Sequence, residues 1–229
     1  MFENVQKGAE KCGKVAQNLQ VLKKKTNFAV TKESAMSFGS TVNREKNGAL
    51  LAYIAEKNPN IHLRQLLKMI YLIDEKFMEL RGFPLTWFNY SAWEKGPVAT
   101  EVYAIKEGAF SSFVICRKNQ EGKNIVTPVL QHDYLIGKQM EAFSQYEMEI
   151  IDSVIDAYSG KSADELSDIT HQENSLWTII VDEQNVKFVD GKSDVEIPLK
   201  RLNEGDEEKE AIYEEALDYM QFCNATSSC

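Results

Sequence analysis

The chain has 229 residues, 43% hydrophobic and 10% aromatic, which is ample for a buried core and excludes a disordered polymer. A formal net charge of −9 and a pI near 5.0 argue against a surface devoted to nucleic acid. No run of about 18 apolar residues occurs, so no membrane span is expected.

Residues 1–45 carry eight Lys/Arg and four Asp/Glu, a local balance of 8 − 4 = +4. Within them, Val5, Ala9, Cys12, Ala16, Leu19 and Leu22 recur at three- and four-residue spacing, while Lys7, Lys11 and Lys14 fall on another face. This spacing predicts an amphipathic basic helix over 2–25. The Ser/Thr-rich stretch from Thr26 to Asn43 lacks periodicity and reads as a linker or a loosely packed arm.

The compact part is expected to begin near Lys46. NGALLAYIAEKN predicts a helix that stops before Pro59, and LRQLLKMIYLIDEKFMEL, apolar on nearly every side, predicts a central helix ended by Gly82. Phe83, Trp87, Phe88, Tyr90 and Trp93 mark an extended segment. Gly96-Pro97 is expected to open a helix, with Val98, Val102 and Ile105 facing inward. Residues 113–118 and 123–127 read as one hairpin.

Two capping boxes follow. Ser144 and Glu147 open a helix whose inner face is Met148, Ile151, Ile155 and Tyr158. Ser162 and Glu165 open a shorter one through Ile169. VKFVDG and VEIPL are strand candidates, and EEKEAIYEEALDYMQF is an acidic helix. From Asp182 onward the balance is 5 − 13 = −8. These elements predict a mainly α (α+β) fold with a small β-hairpin or short sheet. They divide into a basic arm and linker (1–45), a core domain (46–182) and an acidic extension (183–229) that packs on the core.

Chemistry-bearing motifs are sparse. His62, His132 and His171 are the only histidines and none lies in H-E-x-x-H. There is no G-x-S-x-G, no Walker loop and no G-x-G-x-x-G, so no metal, cofactor or catalytic residue is expected. One stretch resembles a fragment of a catalytic site: LSDITHQENSLW, residues 166–177. His171 could act as a base with Glu173 or Asp168 as its orienter, which would make the protein a hydrolase. The same residues read more simply as a helix-to-helix corner, with Thr170 and Glu173 satisfying backbone groups, Ser175 capping the next helix and Trp177 turned into the core. The four cysteines (Cys12, Cys116, Cys223, Cys229), widely spaced and without a C-x-x-C, are expected as reduced thiols of a cytoplasmic protein.

Three motifs in fixed order carry a resemblance. KMIYLID supplies Lys68, Tyr71 and Asp74. AWEKGPVATEVY supplies Trp93, Gly96, Pro97, Val98, Glu101, Val102 and Tyr103. LSDITHQENSLW supplies Leu166, Ser167, Thr170, His171, Glu173 and Trp177. Together they resemble the Panacea domain of SocA-like antitoxins and phage-associated proteins, over roughly residues 46–182.

The resemblance implies a mainly helical domain with a small β element that acts by protein contact and has no catalytic activity. It implies an antitoxin of a type II toxin–antitoxin system that binds a cognate protein toxin, with those motif residues structural or partner-binding. One lineage of the family acts instead as a proteolytic adaptor, which leaves a Clp-type protease open as a second partner. A homo-oligomer is also left open. The apolar face of residues 2–25 (Val5, Leu19, Leu22, flanked by Lys7, Lys11 and Lys14) is the candidate partner-binding arm.

Overall fold

A computed structural model describes residues 37–129, 137 and 141–226; residues 2–25, expected as the partner-binding arm, lie outside them. Helix α1 (Arg44–Lys57) is buried continuously from Asn47 to Ala55. Helix α2 (Leu63–Arg81) runs through the centre of the core, with Leu66, Met69, Ile70, Tyr71, Ile73 and Phe77 almost fully buried. Its apolar residues occupy every side, and a helix of that kind is stable only when surrounded by protein. Gly82 ends it in the left-handed conformation at φ 75°, where a side chain would be strained.

Strand β1 (Tyr90–Trp93) is the middle of a three-stranded antiparallel sheet, between β2 (Gly96–Ala99) and β5 (Glu196–Ile197). The β1–β2 register sets Ala92 opposite Pro97 and Tyr90 opposite Ala99. Gly96-Pro97 therefore opens a strand, not the expected helix, and the short helix α3 (Thr100–Tyr103) starts only afterwards. Two local facts explain the correction. Gly96 has φ 101°, which no right-handed helix permits, and β2 is an edge strand, where a proline's missing N–H breaks no ladder. Val98, Val102 and Ile105 are buried as expected.

The expected hairpin forms from β3 (Val114–Lys118) and β4 (Asn124–Pro128). Helices α4 (Gln145–Tyr158) and α5 (Ala163–Thr170) carry complete capping boxes at Ser144 and Ser162, and α6 (Leu176–Glu183) is capped by the Ser175 hydroxyl. VKFVDG is not a strand. Only an isolated bridge joins Val189 and Lys192 around a turn at Asp190 and Gly191, because both edges of β1 are already paired. The acidic helix α7 (Glu207–Thr226) follows a 3-10 segment at Leu199–Asn203. Asn203 Nδ2 donates to Gly82 O at 2.7 Å, and the Tyr213 ring lies 5.6 Å from that of Trp87.

Residues 37–43, read from sequence as the end of a linker, are packed instead. Ser37 and Ser40 are buried, and Gly39 N donates to Trp87 O at 3.0 Å. Asn47 of α1 secures them by donating to Gly39 O at 2.9 Å and Thr86 O at 2.8 Å. Among the described residues, no helix is long and apolar enough to cross a membrane.

Candidate functional site

The three motifs meet at one junction. Lys68, Tyr71 and Asp74 stand at i, i+3 and i+6 on α2, which puts them along one side of the central helix. Asp74 and Lys68 are each 0% exposed. Burying a carboxylate is costly unless its lone pairs are filled. Asp74 Oδ1 accepts from Thr86 N at 2.9 Å, while Oδ2 accepts from the Tyr90 hydroxyl at 2.7 Å and from the Thr86 hydroxyl. Burial pushes its carboxyl up to about 6, and these hydrogen bonds to the charged form oppose a further rise. Tyr71 donates to Glu75 Oε1 at 3.1 Å and stands edge-on to Tyr90. Burial raises both phenols well above their ordinary value.

Lys68 is satisfied far less completely. Its Nζ donates to Pro97 O at 2.8 Å, and no carboxylate lies within ion-pair distance among the described residues. Burial lowers the ammonium to about 7, and the charge of Arg64 adds to that effect. The hairpin turn presses directly on it. A Cβ at Gly96 would stand 2.7 Å from Thr170 Oγ1 and 2.8 Å from Lys68 Nζ, so only glycine fits between the two motifs.

The corner at 170–177 closes the junction. Ser167 Oγ donates to Lys95 O at 3.1 Å, Thr170 Oγ1 to Ser167 O at 2.9 Å, and Ser175 Oγ to Thr170 O at 2.8 Å. Trp177 Nε1 donates to Trp93 O at 3.0 Å. The Trp177 ring is half-buried and stacks on His171 at 3.8 Å, so Leu176, not Trp177, is the residue turned fully into the core. Trp93 packs against Tyr103 with ring centroids 4.8 Å apart. Glu101 accepts from Ser37 N at 3.2 Å.

His171 and Glu173 are not assembled as a dyad. Glu173 is exposed and is joined to His171 by no hydrogen bond among those of the described residues, so it does not satisfy the break as expected. Burial lowers the His171 pKa, Lys68 lowers it further, and Asp168 opposes; its Nε2 is buried with no hydrogen-bond partner among the described residues. Among the described residues no group of three His, Cys, Asp or Glu is placed to hold a metal ion. Neither Cys116 nor Cys223 is in a disulfide.

Of the two residues that complete the Asp74 cluster, Thr86 did not stand out in the sequence and Tyr90 was read only as one of the aromatics of the extended segment. Thr86 is a lone hydroxyl inside the apolar run Pro84 to Phe88, the kind of residue that needs a buried acceptor, and that was the available signal.

A mainly α-helical domain with two small antiparallel sheets, closed by one buried polar junction, is the class this architecture defines. Residues 66–178, just under half of the chain, match the family described as Antitoxin SocA-like, Panacea domain. The match begins within α2, ends within α6 and takes in all three motifs. Neither the curated proteins nor the solved structures include a match to this chain. The family's antitoxin character supports a role in protein contact over one in catalysis.

Proposed function

We propose that this protein is a cytoplasmic antitoxin of a type II system that neutralises a cognate protein toxin by binding it directly, without chemistry of its own. The observation that supports this reading most is the antitoxin-domain match over residues 66–178, which spans a junction built from that domain's motif residues. In this reading Lys68, Asp74, Gly96, Pro97, Thr170 and Trp177 hold a rigid platform, and Trp93, Tyr103 and the cations around them face the partner. His171 is a structural residue of the corner. A stable inhibitory pair buries about 1,600 Å² in total, more than one motif can supply, so the N-terminal arm is assigned to the interface as well.

The test is co-expression of the tagged protein with the product of an adjacent open reading frame, followed by co-purification and a half-life measurement for that product. A stable complex with an unchanged half-life is the expected result. A half-life that falls when a Clp-type protease is active makes the protein a delivery adaptor, and absence of any complex overturns direct binding.

A further inference from the structure

A cleft of about 560 Å³ opens beside the junction, between the start of α2, the β1–β2 hairpin, the β3–β4 turn and the turn at Asp190 to Lys192. Among the described residues, Arg64, Lys68, Lys95, Lys123 and Lys192 line it against two carboxylates, Glu94 and Asp190. The balance is 5 − 2 = +3, on a chain whose net charge is −9. A concentration of one sign inside a cleft focuses the field there, whatever the charge of the whole molecule.

Several of these cations have no acidic partner. Arg64 is held by Asp164 and Lys123 by Glu121. Lys95 and Lys192 are exposed, and neither has a carboxylate within ion-pair distance among the described residues. Lys192 lies over the rings of Trp93 at 5.0 Å and Tyr103 at 5.5 Å. Lys68, fully buried in the wall, gives one N–H to Pro97 O and has no counter-charge within ion-pair distance among the described residues. A charge on Lys68 is costly while it stays buried without a counter-ion, and the exposed Lys95 and Lys192 add to the positive field of the same concavity. An anion in the cleft relieves that cost. Leu67, Val98, Trp93 and Tyr103 supply the apolar wall that the body bearing such an anion requires.

We propose that this cleft is a binding site for an acidic peptide segment of the protein partner, with a carboxylate between Lys95 and Lys192 and its aliphatic stem against Trp93 and Tyr103. The field of Lys68 reinforces the site from below. Among the described residues the one arginine of the lining is already committed to Asp164, and the free cations are lysine point charges that take a carboxylate or a phosphate oxygen alike. The apolar wall is what favours a carboxylate carried on an aliphatic stem over a small inorganic anion. The partner's identity as a protein rests on the antitoxin reading; the anion site itself does not.

The experiment uses the full chain and a fluorescently labelled hexaglutamate peptide, read by polarisation at low and high salt, with inorganic phosphate as competitor. Saturable binding is expected that weakens with salt, falls about tenfold or more in Lys95→Glu/Lys192→Glu, persists in Lys187→Glu and resists millimolar phosphate. If the double reversal does not fold, Lys95→Gln/Lys192→Gln replaces it, with a smaller loss in the same direction. Absence of saturable binding, or equal binding by the double variant, overturns the site. Full displacement by phosphate overturns the peptide assignment and makes this a small-anion pocket. The double variant is also tested for protection against the toxin. Loss of peptide binding with protection intact removes the partner role of the cleft while the antitoxin reading stands; failure of the native protein to protect removes that reading and leaves the peptide result unaffected.

Discussion

Asp74 and Lys68 stand six residues apart on one helix, equally buried and opposite in charge, and the fold treats them in opposite ways. Asp74 is saturated by Thr86 and Tyr90 and anchors the chain that leads into the sheet. Lys68 has a single carbonyl, a glycine pressed against it and a second cation nearby. A saturated buried charge holds the fold together, whereas a half-satisfied one carries a desolvation cost that its surroundings do not offset.

Removing each charge in turn separates the two roles. Asp74→Ala leaves the Thr86 amide and the Tyr90 hydroxyl without an acceptor and is expected to cost roughly 3–5 kcal/mol in urea unfolding at neutral pH. Lys68→Met, which keeps the stem, is expected to change stability by less than about 1 kcal/mol or to raise it. Equal losses in the two variants would erase the distinction.

The pH dependence sharpens it further. Asp74 is held near 6 against an ordinary value of 3.8, so it contributes stability below the ordinary value. That contribution, about 3 kcal/mol, is lost as the pH rises through 6. Lys68 is held near 7 against 10.5, so its contribution is present above the ordinary value and is lost as the pH falls through 7. That second contribution is on the order of 3–5 kcal/mol. Unfolding free energies measured across the range are expected to dip near neutrality. Asp74→Asn flattens the acid limb, to which Glu75, also raised by burial, still contributes, and Lys68→Met flattens the alkaline limb.

Gly96→Ala probes the contact between the motifs. A Cβ there meets Thr170 Oγ1 and Lys68 Nζ at a φ of 101°, and a loss of about 3 kcal/mol is expected by thermal or urea unfolding. Trp177→Phe keeps a ring against His171 but deletes the donor to Trp93 O, for a loss of about 1–2 kcal/mol. The smallest effect belongs to Ser162→Ala, which removes one helix cap and is expected to lower stability by about 1 kcal/mol without changing partner binding.

Much of this was legible in the sequence because it is local. The all-round apolarity of 63–81 marked the central helix, and Ser144, Ser162 and Ser175 marked three helix starts through the spacing of side chain and amide. What the sequence hid was tertiary. Pro97 satisfies the local rule for a helix start, yet pairing with Ala92 overrides it. Thr86 and Tyr90 lie 12 and 16 residues from Asp74, too far for any periodicity to connect them. Strand β5 forms within VEIPL, as expected, but only two residues long and against the free edge of β1, a pairing that no local signal specifies. His171 and Glu173 looked paired by spacing, but the corner turns the imidazole onto Trp177 and leaves the carboxylate in solvent.

Protection by contact is open to a growth assay. Each neighbouring open reading frame is expressed from an inducible promoter with and without this protein. Growth arrest by one neighbour, relieved by the native chain and by His171→Ala when that variant folds, is the predicted result. Arrest that the native chain does not relieve, or absence of any toxic neighbour, contradicts the account.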